Sequence, residues 1–495
     1  MSDFEQAVAQ RRRKKITQGK NLSRRSETKA DDLSQASHSK PSLVGAQESG
    51  RNLAPLSSIG VVICGQSPPS STVNKEGKGI PYVSGPEHWD GSVVHLNKWT
   101  TGAKRTVPAG CVFVTVKGAG VGTVFPGVEA AIGRDIYAFK PNDNVDTRYI
   151  EHGLRHTAAE VVRFARGDIP GLSKNHLLDH EISLPPLPEQ RRIVADIEKQ
   201  FTRLEAGVAA LRRVQTNLKR YRTAVLKAAC EGHLVPTEAE LANTGKRKAN
   251  FETGEALLAR ILTQRRQNWQ GRGKYKEPAV PEHAKMPELP TGWTWATVEQ
   301  LAAPEPNSIT DGPFGSNLKT EHYMESGPSV IRLQNIGDGI YIDEKAHITQ
   351  AHFERLQKHR VFAGDVVIAG FGENPPRSCI IAESLGPAVV KADCIRFKPH
   401  SSVMPKYMNA ALNSEPVRKR TKGMVHGVGR PRLNLGEIKS IVLPLPSLAE
   451  QTRIVAEVER RLSVVEELES VVSANLQRAT RLRQSILQKA FTGNL

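Results

Sequence analysis

One decapeptide occurs twice in this chain of 495 residues: EQRRIVADIE, beginning at Glu189, and EQTRIVAEVE, beginning at Glu450. Downstream the match continues without a gap. Leu204 corresponds to Val465, Leu211 to Val472, Val225 and Leu226 to Ile486 and Leu487, and Gly232 to Gly493, all 261 positions apart. A helix held in register imposes such spacing, because an insertion turns its apolar face away from whatever covers it. Upstream the likeness persists but its spacing drifts. Asp135, Phe139, Val145 and Tyr149 match Asp393, Phe397, Val403 and Tyr407 at 258, and Gly110 matches Gly364 at 254. Loops absorb insertions where long helices do not, so each copy divides into a variable globular part followed by an invariant helix.

The helical parts carry apolar residues close to a 4-3 spacing. These are Ile193, Ile197, Phe201, Leu204, Leu211 and Leu218 in the first copy, and Ile454, Val458, Leu462, Val465, Val472 and Leu476 in the second. Gln215, Arg222, Glu469 and Arg483 fill remaining seam positions. That pattern predicts two helices that form a coiled coil, each about 60 to 70 Å long at 1.5 Å per residue. A helix of this length outruns the cover its own small domain can give, and the other copy supplies the missing partner. If the two run antiparallel, the first ends beside the second globular part and the connecting segment has little distance to cross. The globular parts alternate short β-rich runs (CVFVTV and DIYAF; DVVIA and SCIIA) with Gly, Pro and Asn turns. The expected fold class is therefore α+β: two pseudo-symmetric domains, mostly antiparallel, separated by a long antiparallel two-helix coiled coil.

The expected divisions are a basic tail over 1–52, a first globular domain over 53–187, a helix over 188–234, a short helix and linker over 235–288, a second domain over 289–446 and a closing helix over 447–495. The tail is rich in Ser, Arg, Lys and Gln and poor in residues that could form a core, so it is expected to be mobile. No apolar run approaches the ~18 residues that cross a bilayer, and the first residues lack the apolar stretch of a secretory signal. A cytoplasmic location is expected. Five scattered cysteines with no C-x-x-C pair read as ordinary thiols.

Catalytic motifs fail on context. Gly118–Gly122 (GAGVG) leads into a strand and turn, with no helix to receive a phosphate. Asn374-Pro-Pro continues into Arg377, where a base-stacking aromatic would be needed. With 69 Lys and Arg against 51 Asp and Glu, the net charge of +18 favours a polyanionic partner, although a generally basic soluble protein would show the same balance. Position sharpens the reading. Arg418–Arg432 (RKRTKGMVHGVGRPR) combines many cations with three glycines and no acid, suited to close approach to phosphates and to guanine edges. The candidate DNA contacts are Arg418, Lys419, Arg420, Lys422, Arg430, Arg432, Arg377 and Lys319 in the second domain, and Arg163, Arg166 and Lys174 in the first.

LPPLPEQRRIVADIE and LPLPSLAEQTRIVAEVE, each leading through a long helix to AACEGHL or KAFTGNL, resemble the specificity subunit of type I restriction-modification systems. LPTGWTWATVEQLA, DGPFGSNLK, VFAGDVVIAGFG and GDIPGLSKNHLL support the resemblance, which covers about residue 53 to the end. It implies a non-catalytic chain with two target recognition domains that read the halves of a bipartite, asymmetric double-stranded DNA sequence. The coiled coil, with its seam residues as candidate docking positions, would hold two methyltransferase subunits, with restriction subunits joining them. S-adenosylmethionine, ATP and Mg2+ would be bound by those partners and no cofactor by this chain. Three features depart from the pattern. The first half lacks the Gly-Trp-x-Trp of Gly292–Trp295, Cys111 occupies the place of Asp365, and the basic tail has no counterpart. Other readings are a subunit of a related methyltransferase-nuclease system, a methyltransferase or nuclease acting alone, and a coiled-coil adaptor with no DNA role.

Overall fold

The computed structural model describes residues 53–494 apart from 119, 166–170, 246–250, 272, 283–285, 373 and 428–430. The tail expected over 1–52 lies outside the described residues. Two helices, Leu187–Cys230 of 44 residues and Leu448–Thr492 of 45, run beside each other. Their contacts fix the direction. Arg483 pairs with Glu205 at 2.9 Å and lies over the Phe201 ring, whereas Arg222 pairs with Glu466 and Glu469 at 3.6 Å. Numbers rise along one helix as they fall along the other, so the pair is antiparallel, as expected. Between these ends Leu218, Val465 and Val472 are buried together, with Leu211 and Leu476 packed against them. Arg222 and Glu205 lie 261 positions before Arg483 and Glu466, so the two ion pairs are one pair repeated about a pseudo-twofold axis across the rod. Exposed pairs of this kind contribute only about 0 to 1 kcal/mol each; apolar burial holds the rod and the charges penalise a slipped register.

Each rod end runs into a domain core. Ile193, Val194, Ile197 and Phe201 share a core with Ile486, Leu487 and Ala490 of the other helix and with Tyr149, Ile150 and Leu154. At the opposite end Val225, Leu226, Ala229 and Cys230 join Ile454, Val455 and Val458 around Tyr407, Met408 and Leu412.

The first domain contains an antiparallel sheet in the order Gly60–Cys64, Ile136–Pro141, Val112–Thr115, Val124–Pro126; the second repeats that order with Ile309–Thr310, Cys394–Phe397, Val366–Ala369, Arg377–Ile380. Val112 lies opposite Phe139, and Val366 opposite Phe397. The change of spacing from 254 to 258 therefore falls in the connection between strands whose pairing is unchanged. Three strands of a second sheet also recur: Ala130–Ile132 is parallel to Ile80–Val83 and antiparallel to Thr106–Val107, and Ala388–Val390 has the same relation to Met324–Ile331 and Arg360–Val361, in a smaller sheet that lacks the first domain's added strands Val73–Asn74 and Trp99–Thr100. A short ribbon closes each domain, Leu53–Pro55 with Glu181–Ser183 and Thr294–Thr297 with Val442–Leu445.

The repeated Glu-Gln owes half of its identity to the corner where domain becomes rod. Gln190, buried, donates from Nε2 to the Pro185 carbonyl (2.8 Å) and accepts at Oε1 from the Asp146 amide (2.9 Å), just before helix Thr147–Val162. Gln451 donates to the Pro446 carbonyl (3.1 Å) and accepts from the Met404 amide (3.0 Å), just before helix Pro405–Leu412. Tyr149 and Tyr407 finish the corner by donating to the carbonyls of Ser183 and Pro444. The glutamate differs between copies. Glu450 is buried and accepts from Trp293 Nε1 at 3.0 Å, whereas the more exposed Glu189 accepts from Arg192. The tryptophan missing from the first copy is the one that covers this carboxylate in the second.

The other departure is also matched. Asp365 accepts from the buried Arg396 guanidinium at 2.6 Å, with Glu305 at 3.6 Å from the same group. In the first domain Cys111 takes the place of Asp365, and Ala138, 258 positions before Arg396, takes the place of the arginine; both are buried. The ion pair is absent as a pair, which leaves no lone charge in the core. The expected linker, for its part, is pinned to the second domain. Helix Gly254–Gln267 buries Leu257 and Ile261, Trp295 Nε1 donates to the Pro287 carbonyl, and Thr297 Oγ1 donates to the Ala279 carbonyl.

Asp365→Ala is expected to destabilise the protein by about 3 kcal/mol or more, since it strands a buried guanidinium. The double change Asp365→Cys with Arg396→Ala, which copies the first domain, should cost less than half as much. Chemical denaturation of the three proteins compares them.

Candidate nucleic-acid interface

At one end of each four-stranded sheet, four loops converge, and they are the same four in both domains. The hairpin after Thr115 or Ala369 receives the loop that leaves the domain's helices: Lys117 bridges Gly171 and Phe371 bridges Arg432, while the amides of Leu172 and Leu433 donate to the carbonyls of Val116 and Gly370 at 2.8 and 2.7 Å. Beside them lies the loop that follows Cys64 or Thr310. Its glycine is dictated by contact, because a Cβ on Gly65 would fall 2.1 Å from the Gly133 carbonyl oxygen and one on Gly312 2.0 Å from the Lys391 carbonyl carbon. The fourth member is the turn at Asp135 or Asp393, whose carbonyl accepts from the Val116 or Gly370 amide.

In the second domain this meeting place is charged. Arg432 pairs with Asp393 at 2.8 Å and lies over Phe314, an exposed aromatic of the Asp311–Lys319 loop. Asp311 accepts from the amides of Gly312 (2.7 Å) and Asp393 (3.0 Å); burial, and next the Asp393 carboxylate, push its pKa up to about 6. Arg377 opens its strand beside Gly372 and is half-buried, with no ion pair among the described residues. Arg432 is thus held over an aromatic ring and half-buried, a setting that suits a guanidinium offered to a planar acceptor. The first domain's counterpart is leaner, with Lys117, Arg163 and Lys174 exposed around the same hairpin and Phe164 packed on His176. Arg166 and Arg430 lie outside the described residues.

The run Arg418–Lys422 divides in two. Arg418 is a tether, donating to the Pro376 carbonyl (3.0 Å), Asp338 (2.7 Å) and Asn413 (3.0 Å). Arg420 lies over the Trp295 ring, donates to the Val442 carbonyl, and has its pKa lowered by burial. Neither is available to a phosphate without breaking these contacts. Lys419 and Lys422 are exposed and line a cleft of about 320 Å3 with Arg222, Asn374 and Glu415. Lys319 is exposed and pairs with Glu321 at 3.3 Å.

The seam residues are consumed within the chain. Ile193, Ile197, Phe201, Leu218, Ile454, Val458, Val465 and Val472 are buried, and Leu204, Leu211, Leu462 and Leu476 partly so. The apolar side chains that the rod shows to solvent are others, among them Val214, Tyr221, Val464, Leu468, Val471 and Leu482. The 4-3 spacing of Val464, Leu468 and Val471 was visible in the sequence but lies outside the seam frame. Among the described residues no cluster of His, Cys, Asp and Glu is arranged to hold a metal, and no helix is long and apolar enough to cross a membrane.

Residues 52–210, the first domain and half of its helix, match the family model of the type I restriction modification DNA specificity domain. Over that stretch the chain resembles the type I DNA specificity domain. Its curated relatives include the specificity subunits of the type I restriction enzymes EcoBI and EcoDI of Escherichia coli. Each is 24% identical over 355 residues, a stretch that covers 71% of this chain and 66% and 70% of those proteins. A chain solved in work on complex assembly and conformational transition of the type I R-M system shares the fold, with a TM-score of 0.55 at 18% identity over 90% of this chain and 99% of that one. The family match ends at residue 210, yet the second domain repeats the four-stranded sheet of the first in the same order.

Neutralising Lys419 and Lys422 together is expected to weaken duplex binding and reduce the slope of log affinity against log salt by about 1.8, at about 0.9 per phosphate contact. Arg418→Ala should instead lower the melting temperature. Salt-series binding and thermal unfolding separate the two.

Proposed function

We propose that this chain is the non-catalytic DNA-reading subunit of a type I restriction-modification complex, with each domain reading one half of a bipartite, asymmetric duplex target. The observation that carries the reading is the pairing of two structurally equivalent domains, differing in the loops at one sheet end, with an antiparallel rod whose contacts repeat about a twofold axis. Two equivalent readers of different loop chemistry imply two unlike half-sites, and a rod of fixed length implies a fixed gap between them. The rod would carry two methyltransferase subunits, one of them against the exposed stripe of Val464, Leu468 and Val471, with restriction subunits completing the assembly. S-adenosylmethionine, ATP and Mg2+ would be bound by those partners, in the cytoplasm.

Exchange of residues 53–187 for the corresponding domain of another family member is expected to change one half of the methylated motif and leave the other half and the gap unchanged. Sequencing of methylated sites in cells that express the exchanged chain reads the outcome; a change in both halves would refute the modular reading.

A further inference from the structure

The second domain holds a cavity that the hairpin face does not explain. Helix Gln350–Arg355 and the turn Gln357–His359 precede the strand Arg360–Val361 of the smaller sheet. With Pro313, Ser316, Asn317 and His322 they enclose about 530 Å3. Two permanent cations, Arg355 and Lys358, and three imidazoles, His322, His352 and His359, line it, and no carboxylate does. Glu321, 4.0 Å from His322 Nε2, is the neighbouring acid, and it also pairs with Lys319. Arg355 and Lys358 are exposed, with no ion pair or hydrogen bond among the described residues.

The imidazoles are oriented by the backbone. His352 Nε2 donates to the Asn317 carbonyl at 2.7 Å and His359 Nδ1 to the Asp311 carbonyl at 2.6 Å. The Lys319 amide donates to His322 Nδ1 at 3.1 Å, so a neutral His322 carries its proton on Nε2. An acid-free cavity with two unpaired cations and an oriented N–H donor suits a phosphate oxygen. Two observations favour a phosphate of duplex DNA over a free anion. Pro313, Ser316 and Asn317 belong to the loop that also presents Phe314 beneath Arg432, so cavity and hairpin face share one loop. The first domain, moreover, keeps a cation at the matched position: Lys104 lies 254 positions before Lys358, is exposed, and precedes the matched strand Thr106–Val107.

We propose that the cavity formed by Arg355, Lys358 and the three histidines seats a backbone phosphate beside the half-site read by the second domain, with Lys104 as its counterpart in the first. The inference rests on the DNA-reading function above. The test uses the full chain carrying Arg355→Ala and Lys358→Ala, and binding to cognate and unrelated duplexes over a salt series. The slope of log affinity against log salt should fall by about 1.8, or about 30-fold in affinity at 0.15 M salt relative to 1 M, equally on both duplexes. Reversal of both charges to Glu should weaken binding further while far-ultraviolet circular dichroism stays unchanged. An unchanged slope in the variants, with salt-dependent binding by the parent chain, overturns the cavity assignment alone. Loss of specificity at one base without a change of slope overturns it as well. Stabilisation of the parent by millimolar inorganic phosphate, abolished in the double variant whose DNA slope is unchanged, assigns the cavity to small anions. A parent chain that does not bind DNA overturns the function itself.

Discussion

Antiparallel register between the two long helices is the constraint on which the other features depend. Arg222 with Glu466 and Arg483 with Glu205 are the same interaction made twice, and they flank the buried Leu218, Val465 and Val472. A shift of one helix by a single turn would break both pairs and turn the apolar seam. Because each helix grows from one domain and ends in the core of the other, the same register fixes where the two domains lie. Phe491, near the end of the second helix, packs on Tyr149 and His156 of the first domain. The corner glutamines then transmit the rod's position to the domain helices through backbone amides. A slip along the rod therefore could not be confined to it.

Pseudo-symmetry is kept where geometry demands it and dropped where chemistry is free to differ. The four-stranded sheets agree in order and pairing, both corners use Gln and Tyr, and both loops after the first strand need glycine at the closest backbone approach. Core charge is dropped as a unit, Asp365 and Arg396 becoming Cys111 and Ala138, since either alone would leave a buried ion or a cavity. At the converging loops the domains diverge most. Asp311, Phe314, Asp393 and Arg432 form a charged, aromatic cluster in the second domain, while the first offers isolated cations around a glycine turn. One fold carried twice with different loops is what the proposed reading of a bipartite, asymmetric target requires.

Much of this was legible in the sequence because a repeat reports on structure without alignment to anything else. An offset constant at 261 marked the rod, and drifting offsets of 258 and 254 marked loops between strands that keep their pairing. The antiparallel direction followed from chain connectivity. Charge runs were less informative, since a run of cations does not say which face each one takes: Arg418 and Arg420 turn inward to Asp338 and Trp295, and Lys419 and Lys422 face solvent. The pinned linker and the histidine-lined cavity were not legible, because both depend on contacts between residues far apart in the chain. Trp293 over Glu450 is of the same kind; the sequence displayed the missing tryptophan of the first copy but not the carboxylate that it covers.

The central claim is that the rod is a ruler between two readers. Its most direct test is insertion of one heptad in each helix at symmetry-related points, after Val214 and after Asn475. Both ion pairs then survive, and each helix lengthens by about 10.5 Å. At about 3.4 Å per base pair, the gap between the half-sites in the methylated motif should widen by about three base pairs while both half-sites stay the same. An active complex with an unchanged gap would contradict the account.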